Sequence, residues 1–84
     1  MNNIFWKIDP QYKVSKVQIL FNGKEIGLQK LKEYFSNVKS SQIYPSFEKN
    51  YKYTIFFYDT SEEFINALRT ACEKIFPESQ THEN

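Results

Sequence analysis

The pattern of apolar and polar positions opens with two strand-like segments. Residues 4–8 alternate with a period of two, and residues 14–21 repeat that alternation, as expected when side chains point to opposite faces of a strand. Residues 9–12 supply turn formers between them, and Asn22-Gly23 ends the second segment with a dipeptide suited to a tight turn. The pattern therefore predicts an antiparallel hairpin near the start of the chain.

Two later segments change to the three- and four-residue spacing of amphipathic helices. The first follows Gly27, and its apolar stripe is Leu28, Leu31, Phe35 and Val38. The second has a start signal, since Thr60 can cap the helix and Glu63 follows three residues later. Pro77 predicts its end. The apolar stripe of this second helix is Phe64, Ile65, Leu68, Cys72, Ile75 and Phe76.

Two further strands lie between the helices. Residues 42–47 predict a short edge strand, because Pro45 has no N–H to donate to a neighbour. Residues 51–58 (YKYTIFFY) are dense in the aromatic and β-branched residues that favour strands. The order ββαββα predicts an α+β fold, a two-layer sandwich with a four-stranded, mainly antiparallel sheet and both helices on one face. We expect one domain over residues 1–77 and a disordered tail over residues 78–84.

The uncovered face of that sheet is the predicted binding site. We expect the helices to cover Ile4, Trp6, Ile8, Val17, Ile19, Phe21, Phe56 and Tyr58. Alternation then leaves an uncovered face too apolar to be ordinary solvated surface. Its predicted binding residues are Phe5, Lys7, Gln18, Leu20, Tyr51, Lys52, Tyr53, Ile55 and Phe57. Two alternatives stay open from the pattern alone: the last strand presents its opposite face to the helices, or the tail folds over the sheet.

The segments LQKLKEYFSNV and KNYKYTIFFYDTSEEFINAL, with a short strand between them, resemble an RNA-recognition motif from its first helix through its second. The third strand of that family carries K/R-G-F/Y-G/A-F-V-x-F/Y, which Tyr53 and Tyr58 match. The resemblance covers residues 17–72 and implies single-stranded RNA binding. Tyr53 is the one stacking position that carries over, because Gln18 occupies the equivalent position on the family's first strand. With residues 4–8 as the missing last strand, the fold would be a circular permutant of the ferredoxin-like sandwich.

Charge and composition narrow the class of protein. The 84 residues are 18% aromatic with a net charge of +1, yet residues 1–53 hold nine lysines against four acids. Such asymmetry can steer an acidic partner. The single cysteine and the lack of a signal peptide predict a cytoplasmic or otherwise intracellular location. No apolar run approaches the length of a membrane span, so we expect no membrane partner.

Side chains suited to catalysis are few. His82 is the single histidine and lies near the chain's end, and Cys72 lies on an apolar stripe where a free cysteine packs as a small hydrophobe. No metal-ligand spacing or phosphate-binding glycine loop occurs. We therefore expect no enzymatic activity, cofactor or metal. The predicted function is a small adaptor or inhibitor-type binding module that engages a protein partner or a second copy of itself; single-stranded RNA is the alternative ligand.

Overall fold

The computed structural model of the chain describes residues 4–76 and 80–81, the last two by their backbone. Its elements are β1 (Phe5–Gln11), a 3-10 turn (Tyr12–Val14), β2 (Lys16–Phe21), α1 (Glu25–Tyr34), β3 (Tyr44–Pro45), β4 (Tyr53–Phe57), α2 (Glu62–Ile75) and β5 (Gln80–Thr81). The strands are ordered β3-β4-β2-β1-β5, with β5 parallel to β1 and the other pairs antiparallel. The expected α+β class, with a four-stranded antiparallel sheet and two helices, is confirmed.

The first hairpin is longer than the sequence predicts. Residues expected to turn, including Pro10, belong to β1, which pairs with β2 from Trp6 opposite Phe21 to Gln11 opposite Lys16. Pro10 is tolerated because β5 pairs with β1 only at Phe5 and Trp6, so the missing N–H of Pro10 leaves no gap in a described ladder. The 3-10 turn and Ser15, whose φ is 55°, reverse the chain instead.

One face of the sheet packs on both helices. The buried side chains of α1 and α2 join those of β1, β2 and β4 in a single core cluster, so both helices lie on the same side. At its centre, the rings of Phe35, Phe57 and Phe64 contact one another with centroid separations of 5.2–5.9 Å. The inward positions predicted for Trp6 and Ile8 in β1, and for the apolar face of β2, are confirmed.

The predicted orientation of the strand that became β4 is wrong. Ile55 and Phe57 are fully buried against the helices, and Tyr53 packs on the same core cluster. Phe56 is instead half-buried on the opposite face, and Tyr58 is exposed. The more apolar of the strand's two faces is buried, since the other face would have taken Thr54 into the core among apolar side chains.

The helix boundaries also differ from the prediction. Helix α1 begins at Glu25, two residues before Gly27, and α2 is capped by Ser61, whose Oγ accepts a hydrogen bond from Phe64 N at 3.1 Å. Thr60, the predicted cap, lies one residue too early. The apolar stripe of α2 is confirmed and gains Ala71. Cys72 is fully buried in that stripe, as expected.

The two edges of the sheet are short. Strand β3 has two residues rather than six, and Ser40 adds an isolated bridge to Phe57. Gln80 and Thr81, expected to belong to a disordered tail, form β5 beside Phe5 and Trp6, so that prediction is wrong for these two residues. The rest of the predicted tail, residues 78–79 and 82–84 with His82 among them, lies outside the described residues.

Candidate functional site

The open face of the sheet, which is the face away from the helices, is largely satisfied by the chain itself. Gln11 Nε2 donates to Gln18 Oε1 at 3.0 Å, and Gln18 Nε2 donates to Thr54 Oγ1 at 3.0 Å. The Thr54 hydroxyl in turn donates to the Ile19 carbonyl at 2.8 Å. Leu20 is fully buried although it points away from the helices. The middle of this face is therefore a closed network of polar contacts around one buried apolar side chain.

At the margins of the open face, two aromatic rings are half-buried. Phe56 lies under the Lys16 ammonium, whose Nζ is 4.3 Å from the ring centre. Phe5 contacts Tyr51 edge-to-face, with centroids 5.4 Å apart. The large apolar face expected from the sequence is thus reduced to separate aromatic positions.

A second surface lies at the end of the sandwich where β1 begins and β2 ends. The start of α1, the end of α2 and the loop between β3 and β4 enclose it, and its volume is about 840 Å³. We call it the terminal recess. Its apolar wall consists of Ile4, Phe5, Phe21, Ile26, Ile75 and Phe76. Its polar lining consists of Asn22, Lys24, Lys30, Asn50, Tyr51 and Lys52.

Close packing of backbone and rings shapes the floor of the terminal recess. Phe21 and Phe76 stack with their centroids 4.4 Å apart. A Cβ at Gly27 would lie 2.8 Å from the Phe21 ring and 2.9 Å from the Phe76 ring, so only glycine lets α1 approach this stack without displacing a ring. Asn22 lies at the open end of the hairpin, where its Oδ1 accepts a hydrogen bond from Phe5 N at 2.7 Å.

The charged side chains in the described lining of the terminal recess have one sign. Lys24, Lys30 and Lys52 line it, and no described residue in the lining is acidic. Burial raises the pKa of the Tyr51 phenol above its ordinary value of 10.0, and the Glu48 carboxylate raises that pKa further. Tyr51 therefore stays neutral at physiological pH. An apolar wall of this size with a few convergent cations is suited to an anionic group attached to an apolar body.

The structure separates the predicted binding residues into three groups. Phe5, Tyr51 and Lys52 come together in the terminal recess. Lys7, Gln18 and Leu20 lie on the open face, as expected from the pairing of β1 with β2. Tyr53, Ile55 and Phe57 face the helices, so their predicted exposure is wrong. Tyr53 therefore presents no ring on the open face for the base stacking that the family resemblance implies.

Several residues of the terminal recess were missed from the sequence. Lys24 and Lys30 were not among the predicted binding residues. Ile26 carried a signal, because it is apolar and exposed but does not fall on the buried stripe of Leu28 and Leu31. Phe76 was predicted only as part of the α2 stripe, yet it also lines the recess.

Comparison with protein-family models, with curated proteins and with solved structures gave no match. Within residues 4–76 and 80–81, no helix is long and apolar enough to cross a membrane. The same residues bring together no group of three or more side chains that could hold a metal ion. The terminal recess is thus characterised by its own geometry and charge alone.

Proposed function

We propose that this chain is a small non-enzymatic binding module whose ligand site is the terminal recess. Its ligand is a protein segment that joins carboxylates to a bulky apolar side chain. The observation that carries the proposal is the pairing of an apolar wall with three lysines and no acidic side chain in the described lining.

The apolar part of the ligand follows from the wall. Ile26 is exposed at the recess mouth, and Phe5, Tyr51 and Ile75 are only partly buried. Covering such side chains contributes roughly 25 cal/mol for each Å² of apolar area removed from water. Aromatic and aliphatic side chains of a partner supply that area with little loss of conformational entropy.

The acidic part follows from the lysines. Lys24 immediately precedes α1 and Lys30 lies on it, whereas Lys52 comes from the loop that leads into β4. Cations on two sides of one recess favour a partner of opposite charge and disfavour a basic one. The excess of lysine in the first two-thirds of the chain supports the same preference.

Protein is favoured over RNA by the orientation of β4. Single-stranded RNA binding rests on aromatic rings that lie open for stacking along a basic surface. The ring that the resemblance would use, Tyr53, packs on the core, and the middle of the open face is a closed hydrogen-bond network. Binding of RNA is therefore the competing result, which the experiment below distinguishes from binding of a protein segment.

A permuted ferredoxin-like arrangement of the RNA-recognition type is part of the same proposal. The antiparallel neighbours β1–β2, β2–β4 and β4–β3 support it, because they place the hairpin strand β1 beside the strand that would open the unpermuted fold. Strand β5, parallel to β1, is an addition to that arrangement.

Peptide display against the immobilised chain tests the proposed ligand. We expect the enriched peptides to combine Asp or Glu with Phe, Tyr, Trp or Leu. Lys30→Glu should weaken the binding of a synthetic copy of such a peptide by about tenfold, equivalent to about 1.4 kcal/mol. Lys13→Glu makes the same charge change in the exposed turn at the other end of the hairpin and should leave the affinity unchanged.

Two results would overturn the proposal. One is a failed charge preference, seen either as enrichment of peptides without carboxylates or as equal binding of the peptide by both lysine variants. The other is tight binding of single-stranded polyuridine with an affinity that falls steeply with salt, which would assign the lysines to phosphate contacts.

A further inference from the structure

The loop between β3 and β4 holds one aromatic side chain entirely in solvent. Phe47 is fully exposed, unlike the other phenylalanines of the described chain, which are buried or half-buried. The backbone around it is fixed by hydrogen bonds: Ser46 N donates to Lys52 O at 2.9 Å, and Glu48 N donates to Ser46 Oγ at 3.0 Å. We call residues 46–48 the loop tip.

The loop tip has the chemistry that the terminal recess is suited to bind. Phe47 offers a bulky apolar ring, and Glu48 places a carboxylate directly beside it. A phenylalanine held in water on an ordered loop gains no burial when the chain folds. Burying the same ring against another surface would be favourable.

The loop tip and the terminal recess are neighbours on the molecule. Asn50, Tyr51 and Lys52 belong to the same loop as the tip, and they line the recess. In a two-fold dimer the same patch on both copies meets itself, so each copy can give and receive the same contact. If the tip and the recess form one such patch, a single two-fold rotation would bring each tip to the other copy's recess.

We propose that a second copy of this chain occupies the terminal recess. Phe47 of each copy covers the apolar wall of the other, and Glu48 of each copy faces the other's recess lysines. This inference rests on the proposed function, because it names the protein segment that the recess binds.

Light scattering and sedimentation across a range of concentrations test the dimer. We expect the wild-type chain to dimerise and Phe47→Asp to raise the dimer dissociation constant by about 30-fold or more, as expected for a central aromatic contact. Tyr12→Asp, which alters an exposed aromatic side chain at the far end of the hairpin, should dimerise like the wild type.

A charge exchange tests which groups meet. Lys30→Glu and Glu48→Lys should each weaken self-association, because each creates like charges at both contacts of its dimer. An equimolar mixture of the two variants should restore the dimer. In the mixed dimer, the altered tip of Glu48→Lys meets the altered recess of Lys30→Glu, and the other contact is that of the wild type. Restoration in the mixture would not follow if either substitution merely unfolded the chain.

The outcomes separate this inference from the proposed function. A wild-type chain that stays monomeric at every concentration overturns the dimer, and the peptide selection then decides the recess by itself. A dimer that persists in both Phe47→Asp and Glu48→Lys also overturns it, because association would run through another surface. With both variants shown by circular dichroism to be folded, failure of the mixture to restore association overturns the assigned contact between tip and recess.

Discussion

The open face and the terminal recess both carry apolar side chains that point away from the core, yet they differ in how far the chain satisfies them. On the open face, Leu20 is fully buried, and Gln18 and Thr54 hydrogen-bond to each other beside it. In the terminal recess, Ile26 is exposed and lysines line the apolar wall without an acidic neighbour in the described lining.

An outward-pointing apolar residue therefore does not by itself mark a binding surface. Whether it binds depends on what its own chain already places over it and on whether nearby charges have partners. Alternation along a strand reports direction only. Coverage also depends on side chains that other strands bring to the same face, as β4 brings Thr54 beside Leu20.

The largest expected effect concerns the side of β4 that packs on the helices. Phe57→Ala should cost about 3–5 kcal/mol of unfolding free energy, because it leaves a cavity among Phe35 and Phe64. A domain of this size has only about 5–10 kcal/mol of stability in total, so the variant should lose roughly a third of it or more. Urea denaturation measures the loss.

Phe56→Ala is the matched control for that substitution. Phe56 is the next residue, of the same type, but half-buried on the open face. Its truncation should cost about 1 kcal/mol or less, most of it from lost contact with Lys16. Phe57→Leu should keep the chain folded with a loss of about 1.5 kcal/mol or less, so the comparison survives if the alanine variant cannot be purified. Equal losses for Phe56→Ala and Phe57→Ala, or a larger loss for Phe56→Leu than for Phe57→Leu, would contradict the orientation of β4.

Much of the fold could be predicted from local periodicity. The period of two in β1 and β2 has one clearly apolar face in each strand, and the stripe of α2 is unbroken from Phe64 to Phe76. In such segments one orientation buries far more apolar area than the other, so the pattern determines the packing. The capping residue of α2 was predicted one position too early because Thr60 and Ser61 are both competent caps.

The orientation of β4 could not be predicted as safely, because YKYTIFFY is aromatic on both faces. Counting aromatic rings gives no preference between the faces. The deciding signal is polar: Lys52 and Thr54 share the face of Phe56, whereas Ile55 shares the face of Phe57. Weighing the cost of burying the polar pair against the gain from the aromatic rings would have selected the observed orientation.

The terminal recess had no local pattern to reveal it. Its lining comes from four separate segments of the chain, which are brought together by the pairing of β2 with β1 and β4 and by the packing of α1 against α2. Ile26 was the single visible anomaly, as an apolar residue off the helix stripe. A site built from segments distant in sequence requires the topology before its residues can be grouped.

A smaller effect is expected from the hydrogen-bond network of the open face. Thr54→Val keeps the shape of the side chain but removes the hydroxyl that donates to the Ile19 carbonyl and accepts from Gln18. Leaving these partners unsatisfied should cost about 1–2 kcal/mol of unfolding free energy. Thr54→Ser retains the hydroxyl and should lose less. A valine variant as stable as the wild type would show that the closed network contributes nothing to the open face.

The smallest effect concerns the protonation of Tyr51 in the terminal recess. Its pKa is raised in the folded chain by burial and then by Glu48, so the folded state holds the phenol proton more tightly than the unfolded state does. The resulting stability is present below the ordinary pKa of 10.0 and is lost as the pH rises through the higher folded pKa. Urea denaturation from about pH 8.5 to about pH 10.5 should therefore show a steeper loss for the wild type than for Tyr51→Phe. Glu48→Gln should fall between them, because it removes only the smaller of the two causes. Parallel curves for the wild type and Tyr51→Phe would mean that the phenol is as well solvated in the recess as in the unfolded chain, and that the recess is wetter than its apolar wall implies.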